Sequence, residues 1–154
     1  MSEPQIGERA PDFTLKSTSG EMVRLSQFQG KKNVLVSFFP LAFTPVCTAQ
    51  NCAFSEEYTR FESKDTVVLP VSVDSTATLA EFRSKHGMGH HLVSDFKREA
   101  SRAFGVLDEE KYYSRRSYFL VDKQGILRWK HVEPQNSQSR ANPELLQQIE
   151  ALSR

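Results

Sequence analysis

Apolar positions along this chain follow two different periods. Val34-Leu35-Val36-Ser37-Phe38-Phe39 is a nearly unbroken apolar run ended by Pro40, the pattern of a central strand buried on both faces. Val67-Val68-Leu69-Pro70-Val71-Ser72-Val73 predicts a second strand. Its Pro70 has no ladder donor, so either a bulge or a nitrogen turned away from pairing is expected there. Phe13-Thr14-Leu15 and Val23-Arg24-Leu25 flank Ser19-Gly20 as a short hairpin, and Gly30-Lys31-Lys32-Asn33 turns the chain into the first buried run. Ser117–Asp122 and Ile126–Val132 flank Lys123-Gln124-Gly125 as an antiparallel hairpin. Helical spacing appears where Phe54, Tyr58 and Phe61 share a face, predicting a helix from about Thr44 to Glu62. A second helix is expected over Thr76–Lys85, with Leu79, Phe82 and Arg83 in register and Gly87 stopping it. Leu92–Asp95 reads as a short strand or turn, and Arg98–Phe104 as a short helix closed by Gly105. Asn142-Pro143 caps a final amphipathic helix through Leu152.

The resulting order, βαβα with a closing ββα, implies a mixed sheet with helices on both faces. It matches a thioredoxin-like α/β fold with an N-terminal β-hairpin. Apolar clusters recur over the whole length without repeat, linker or low-complexity tract, so one domain over 1–154 is expected. Apolar residues at 38 % and charged residues at 25 % fit a packed globular core rather than a disordered chain. A net charge of +1 gives no electrostatic case for nucleic acid or an anionic membrane as partner. No apolar run approaches the roughly 20 residues of a membrane span, and Met1-Ser2-Glu3-Pro4-Gln5 lacks the pattern of a secretory signal. A cytoplasmic location is therefore expected. Two cysteines do not make a secreted disulfide framework. In a reducing compartment they are inert core residues or reactive thiols, and placement decides between the two.

Their placement is informative. Phe39-Pro40-Leu41-Ala42-Phe43-Thr44-Pro45-Val46-Cys47 joins a buried strand to a helix. Thr44 suits the N-cap and Pro45 the first helical position, which puts Cys47 in the first turn. Unpaired backbone N–H groups and the positive end of the helix dipole then lie close to its sulfur, and both favour thiolate over thiol. The competing reading of the residue alone is a small buried hydrophobe at a helix start. Arg115 and Arg116 precede the later hairpin strand. Either could supply a cation, and either could be a solvated loop charge.

Pro40, Thr44 and Cys47 together reproduce the Pro-x-x-x-Thr-x-x-Cys motif, and on it the chain resembles the peroxiredoxins. Phe38-Phe39, Ala10-Pro11-Asp12-Phe13 and Ser94-Asp95 add to the resemblance, which runs from about Gly7 to the final helix. Arg116, just before Ser117-Tyr118-Phe119-Leu120-Val121-Asp122, sits where that family carries its catalytic arginine. The resemblance implies a thiol-dependent peroxidase acting on hydrogen peroxide or organic hydroperoxides, without haem, flavin or bound metal. Cys47 would attack the peroxide and become a sulfenic acid. Arg116 would hold the thiolate and polarise the peroxide with its forked donors. Thr44 would hydrogen-bond the peroxide and the sulfur, Pro40 would shield the site, and the amides near Val46 and Cys47 would stabilise the leaving oxygen.

Cys52 follows Cys47 by five residues, a spacing that resembles the peroxiredoxin Q (bacterioferritin comigratory protein) group, in which the second cysteine resolves the first. Five helical residues separate Cα atoms by roughly 8.7 Å. A disulfide needs them within about 7 Å, so the helix start would have to unwind. Thioredoxin or a similar dithiol would then reduce the bond. The alternative is a one-cysteine peroxidase of the AhpE type, which Phe39–Thr44 also resembles, with Cys52 a core thiol. A thioredoxin-fold disulfide oxidoreductase is a further alternative, although Cys-x-x-Cys is absent. A non-enzymatic redox sensor would share the reactive cysteine without turning over. A metal site from Cys47, Cys52, His90 and His91 has the wrong spacing for zinc. No hydrolase motif stands out. Relatives of the resembled type are monomers or homodimers.

Overall fold

The structure, a computed structural model, describes residues 3–153. The first two residues and the last of the single domain expected over 1–154 lie outside that range. A hairpin opens the chain, β1 (Thr14–Ser17) and β2 (Met22–Arg24), followed by a 3-10 turn over Leu25–Phe28. Next come β3 (Asn33–Phe38), α1 (Pro45–Glu56), α2 (Tyr58–Glu62), β4 (Thr66–Ser72) and α3 (Thr76–Lys85). They are followed by β5 (Val93–Ser94), α4 (Glu99–Ala103) and a small hairpin of β6 (Leu107–Asp108) and β7 (Tyr113–Ser114). The chain closes with β8 (Ser117–Val121), β9 (Leu127–Val132), α5 (Asn142–Glu150) and a 3-10 turn over Ala151–Ser153. Seven strands form one sheet in the order β2-β1-β5-β4-β3-β8-β9. β3–β4 and β4–β5 are parallel and the other pairings antiparallel, which is the mixed sheet that the element order implied.

Strand periodicity divides the core between the two faces of this sheet. Val34, Val36, Phe38, Leu69, Val71, Phe119 and Val121 pack with Phe104 and Ala100 of the α4 side and with Phe13 of the N-terminal segment. Leu35, Val68, Tyr118 and Leu120 pack on the opposite side with Phe54 of α1, Phe61 of α2 and Leu145, Leu146 and Ile149 of α5. A third cluster sits beyond the end of β3, where Phe39, Ala42 and Cys47 meet Leu79 and Phe82 of α3 together with Met88 and Leu92.

Pro70 sits in the middle of the sheet without a bulge. The Val71 carbonyl accepts from Phe39 N–H on the β3 side, and the Ser72 carbonyl from Asp95 N–H on the β5 side. Alternation therefore turns the Pro70 nitrogen toward β5, which pairs only from Val71 onward. The helix expected from Thr44 to Glu62 is two helices, broken at Glu57 (φ −114°, ψ 18°). Asn142 is not a cap: Ala141 holds that position in α5. The Asn142 amide instead donates to the Ala53 carbonyl (3.0 Å) and the Glu57 carboxylate (2.9 Å), so it fastens α5 to the end of α1. Small strands β6 and β7 and the 3-10 turns were not expected, being too short to show a period. No helix among the described residues is long and apolar enough to cross a membrane.

One buried group carries a consequence for stability. His90 is 6 % exposed, stacks on Tyr58 with ring centroids 5.7 Å apart, and has no hydrogen-bond partner at either ring nitrogen among the described residues. Burial first, then Arg83 and His91, push its pKa down to about 4 from 6.5. The unfolded chain thus takes up a proton between those values that the folded chain refuses. Stability is complete above about pH 6.5 and falls as pH drops toward 4, by about 2 kcal/mol between pH 7 and 4.5 from this residue. Urea unfolding of His90→Phe should lose that part of the pH dependence. Equal slopes in the variant and the unaltered protein would assign the acid sensitivity to other groups.

Candidate active site

The antiparallel pairing of β3 with β8 builds the site. Phe38 at the end of β3 lies opposite Ser117 at the start of β8. The loop that leaves β3 and the residue that precedes β8 are therefore neighbours in space, although far apart in sequence. Side-chain alternation puts Arg116 on the same face as Tyr118 and Leu120, which is the face covered by α1. The loop from Phe39 to Thr44 is pinned from several sides. Phe39 N–H donates to the Val71 carbonyl (2.9 Å), Ser114 Oγ donates to the Phe39 carbonyl (3.2 Å), and Ala42 N–H donates to Asp74 Oδ2 (2.8 Å). Asp74 is itself held by the Ser72 hydroxyl at 2.7 Å. Phe43 adopts a left-handed conformation (φ 68°), a strained state for a bulky side chain. Its exposed ring packs on Phe82 (5.0 Å), with the Lys85 ammonium 5.9 Å from its centroid.

Cys47 is the third residue of α1 and is 1 % exposed. The first helical bond at this end runs from Thr48 N–H to the Thr44 carbonyl (2.9 Å), so the amides of Val46 and Cys47 have no partner within the helix. Arg116, also 1 % exposed, donates through Nη2 to Cys47 Sγ at 3.0 Å. Its Nη1 donates to Gln50 Oε1, its Nε to the Asn136 carbonyl (3.2 Å), and its backbone N–H to Asn136 Oδ1 (3.0 Å). Among the described residues no carboxylate lies within ion-pair distance of this guanidinium. A buried cation without a counter-charge is costly, and among the described residues the one partner of Arg116 able to carry a negative charge is the Cys47 sulfur.

The remaining candidates fall at different distances from this pair. Thr44 occupies the N-cap position, but its hydroxyl does not cap the helix. It donates to the Leu41 carbonyl at 2.7 Å, which leaves its lone pairs free and its proton engaged. Pro40 is buried at the turn that leaves β3. Arg115 is exposed, unlike its neighbour Arg116. Both cysteines are free. Cys52 lies further along the unbroken helix α1, partly buried against the cluster that holds Cys47, Phe82 and Met88. Burial, and then Glu56 one turn on, push its pKa above the usual 9.0, so it remains a neutral thiol around pH 7. His91 turns its ring to the Thr18 hydroxyl (2.9 Å) while His90 faces Tyr58, so the adjacent histidines diverge. No three His, Cys, Asp or Glu side chains are grouped to hold a metal among the described residues.

Gln50, Asn51, Tyr118 and Asn136 belong to the site and were not anticipated. For two of them a signal exists in the sequence. The buried positions of α1 are Cys47, Gln50, Asn51 and Phe54, the i, i+3, i+4, i+7 stripe of a helix, and two amides lie within it. Polar residues in a buried stripe imply polar partners inside. Asn51 Nδ2 donates back to the Cys47 carbonyl (2.9 Å) and Thr48 Oγ1 to the Thr44 carbonyl (2.8 Å).

The AhpC/TSA family profile matches residues 6–130. Alkyl hydroperoxide reductase E of Mycobacterium tuberculosis is 35 % identical over 130 residues, covering 83 % of this chain and 85 % of that protein. Peroxiredoxin Bcp of Bacillus subtilis is 36 % identical over 137 residues, covering 84 % and 87 %. The chain spans about half the length of the chloroplast 2-Cys peroxiredoxins of spinach and Arabidopsis, which it matches at 37 % identity. Among solved structures, the reduced 2-Cys peroxiredoxin of Plasmodium vivax superposes with a TM-score of 0.88 at 31 % identity, over 96 % of each chain.

Proposed function

The chain belongs to the AhpC/TSA family of peroxiredoxins, and from that premise we propose that it is a thiol-dependent peroxidase in which Cys47 attacks the peroxide. The observation that carries the reading is the 3.0 Å contact between Arg116 Nη2 and Cys47 Sγ, with no carboxylate among the described residues paired to the arginine. The form of Cys47 that reacts is its thiolate, which attacks with the guanidinium beside it. It attacks the terminal oxygen of hydrogen peroxide or an organic hydroperoxide. The S–O bond forms as the O–O bond breaks, and the departing hydroxide or alkoxide takes up a proton, leaving a Cys47 sulfenic acid. Thr44, whose proton is committed to Leu41, accepts a hydrogen bond from the peroxide O–H and so orients it. Arg116 and the unpaired amides at the start of α1 face the charge that develops on the leaving oxygen. Pro40 keeps bulk water from this end of the loop.

In the second half-reaction, the Cys52 thiol condenses with the Cys47 sulfenic acid, releasing water and forming an intramolecular disulfide. Both residues lie within one helix, so α1 must unwind locally first. Its composition favours that step: Thr48 and Asn51 bond back to carbonyls one turn earlier, and buried Asn51 Oδ1 has no partner among the described residues. Unwinding also removes Cys52 from the burial and from Glu56 that keep it protonated, so its nucleophilicity rises when it is needed. Thioredoxin or a similar dithiol then reduces the disulfide. The setting proposed is the cytoplasm, with the chain acting as a monomer or homodimer.

The test is the rate of Cys47 oxidation by hydrogen peroxide, which should exceed that of free cysteine by several orders of magnitude. A rate equal to free cysteine would sink the peroxidase reading. Cys52→Ser should undergo one oxidation at the unaltered rate and then turn over at least about tenfold more slowly with thioredoxin, since water and external thiols must do what a tethered thiol did. Undiminished turnover in that variant would instead favour a one-cysteine enzyme like the AhpE relative.

A further inference from the structure

We propose that Tyr118 is a positioning residue for the Arg116 guanidinium and acts through the orientation of the Gln50 amide. The inference rests on the reading of Cys47 as the peroxide-reactive thiol. Arg116 has only donors to offer, so Gln50 must turn Oε1 toward Nη1. That leaves the Gln50 NH2 group pointing into the interior, where an unpaired donor is costly. The Tyr118 hydroxyl meets it as acceptor at 2.9 Å. The backbone N–H of Arg140 donates to the same oxygen at 2.8 Å, so the phenol oxygen is fixed from two directions. Tyr118 has no exposed surface, and its ring lies 6.3 Å from Trp129 and 6.4 Å from His131 in stacked arrangements. Burial pushes the phenol up to about 12, so it stays neutral and remains a hydrogen-bonding group rather than a charge beside Arg116.

A continuous path results. Sγ of Cys47 contacts Nη2 of Arg116, Nη1 meets Gln50 Oε1, Gln50 Nε2 meets the Tyr118 hydroxyl, and that hydroxyl is anchored to the segment leading into α5. The same segment reaches Arg116 from the other side: Asn136 receives its Nε, and Glu133 N–H donates to its carbonyl at 2.9 Å. Buried Glu133 accepts from Arg140 Nε (3.0 Å) and Nη2 (3.2 Å), which closes the segment into a frame. Tyr118 is the point at which this frame meets the amide that aligns the guanidinium.

Phenylalanine at 118 keeps the ring and removes the acceptor. Rapid quench and mass spectrometry of the first Cys47 oxidation at sub-saturating hydrogen peroxide should show Tyr118→Phe slowed roughly tenfold, the effect of one lost buried hydrogen bond on a transition-state contact. Gln50→Met, which has no amide to orient, should also be slower than the unaltered protein. Adding Tyr118→Phe to it should change the rate by less than about twofold, because the path is already cut. The lost Arg140 bond should lower the melting temperature by a similar amount in both backgrounds, which separates positioning from plain structural support. An unchanged rate in Tyr118→Phe, or an equal fold loss with and without Gln50, overturns the proposal. A wild-type Cys47 no faster than free cysteine is a different outcome: it removes the peroxidase reading and this inference with it.

Discussion

Replacing Cys47 with serine is expected to abolish peroxide reduction, leaving the rate of the uncatalysed mixture. Oxygen transfer requires a nucleophile that forms a bond to the peroxide oxygen and survives as a reducible product. A thiolate does so by becoming a sulfenic acid, whereas a serine hydroxyl remains neutral near pH 7 and has no corresponding oxidation. Cys52 does not substitute, because burial and Glu56 hold it as a thiol, while the Arg116 guanidinium contacts Cys47. The substitution should also be felt in the fold. Serine still accepts a hydrogen bond from Arg116 but cannot carry a charge near pH 7, so the buried guanidinium loses a partner able to do so, at an expected cost of about 2 kcal/mol in stability. The measurement is steady-state peroxide consumption with a thiol reductant, alongside thermal melting. Residual turnover that disappears only when Cys52 is also replaced would move the nucleophile to the second cysteine.

The parts of this arrangement that were legible in the sequence are local. Pro40, Thr44 and Cys47 sit within one strand-loop-helix junction, and the period of Val34–Phe39 shows that the strand before them is buried on both faces. The position of Arg116 was legible only through resemblance, because nothing in its neighbourhood separates it from Arg115. The distinction comes from register: pairing of Phe38 with Ser117 turns Arg116 inward, while Arg115 faces solvent. Thr44 shows the opposite failure. Its residue type and position predicted a capping hydroxyl, yet the hydroxyl reached the Leu41 carbonyl, a choice decided by the fold of the loop rather than by propensity. Likewise, Asn142 reads as a cap beside Pro143, but its amide has partners on another helix, Ala53 and Glu57, which no local pattern reveals. The break at Glu57 was hidden because Phe54 and Phe61 keep the same buried face across it.

The Arg116 guanidinium should be worth two to three orders of magnitude in the rate of the first oxidation, read as the loss in Arg116→Met. Two effects combine in that number. One acts on the free enzyme: the buried sulfur loses the donor 3.0 Å away that holds it in place for attack. The other acts only in the transition state, where charge moves from sulfur to the departing oxygen and the forked donors of the arginine can follow it. Alkylation with iodoacetamide separates them, since it needs the thiolate but breaks no O–O bond. Arg116→Met should therefore lose about tenfold in alkylation and about a hundredfold or more in oxidation by hydrogen peroxide. Arg116→Lys should recover part of the alkylation rate, because the charge returns, and little of the peroxide-specific part. A single ammonium cannot hold Gln50 Oε1, the Asn136 carbonyl and the sulfur in the planar arrangement that the guanidinium spans. Equal losses in both reactions would confine Arg116 to holding the thiolate. No loss in either would mean that neither reaction at Cys47 depends on this guanidinium, and that the lack of a carboxylate around it among the described residues has no bearing on the chemistry.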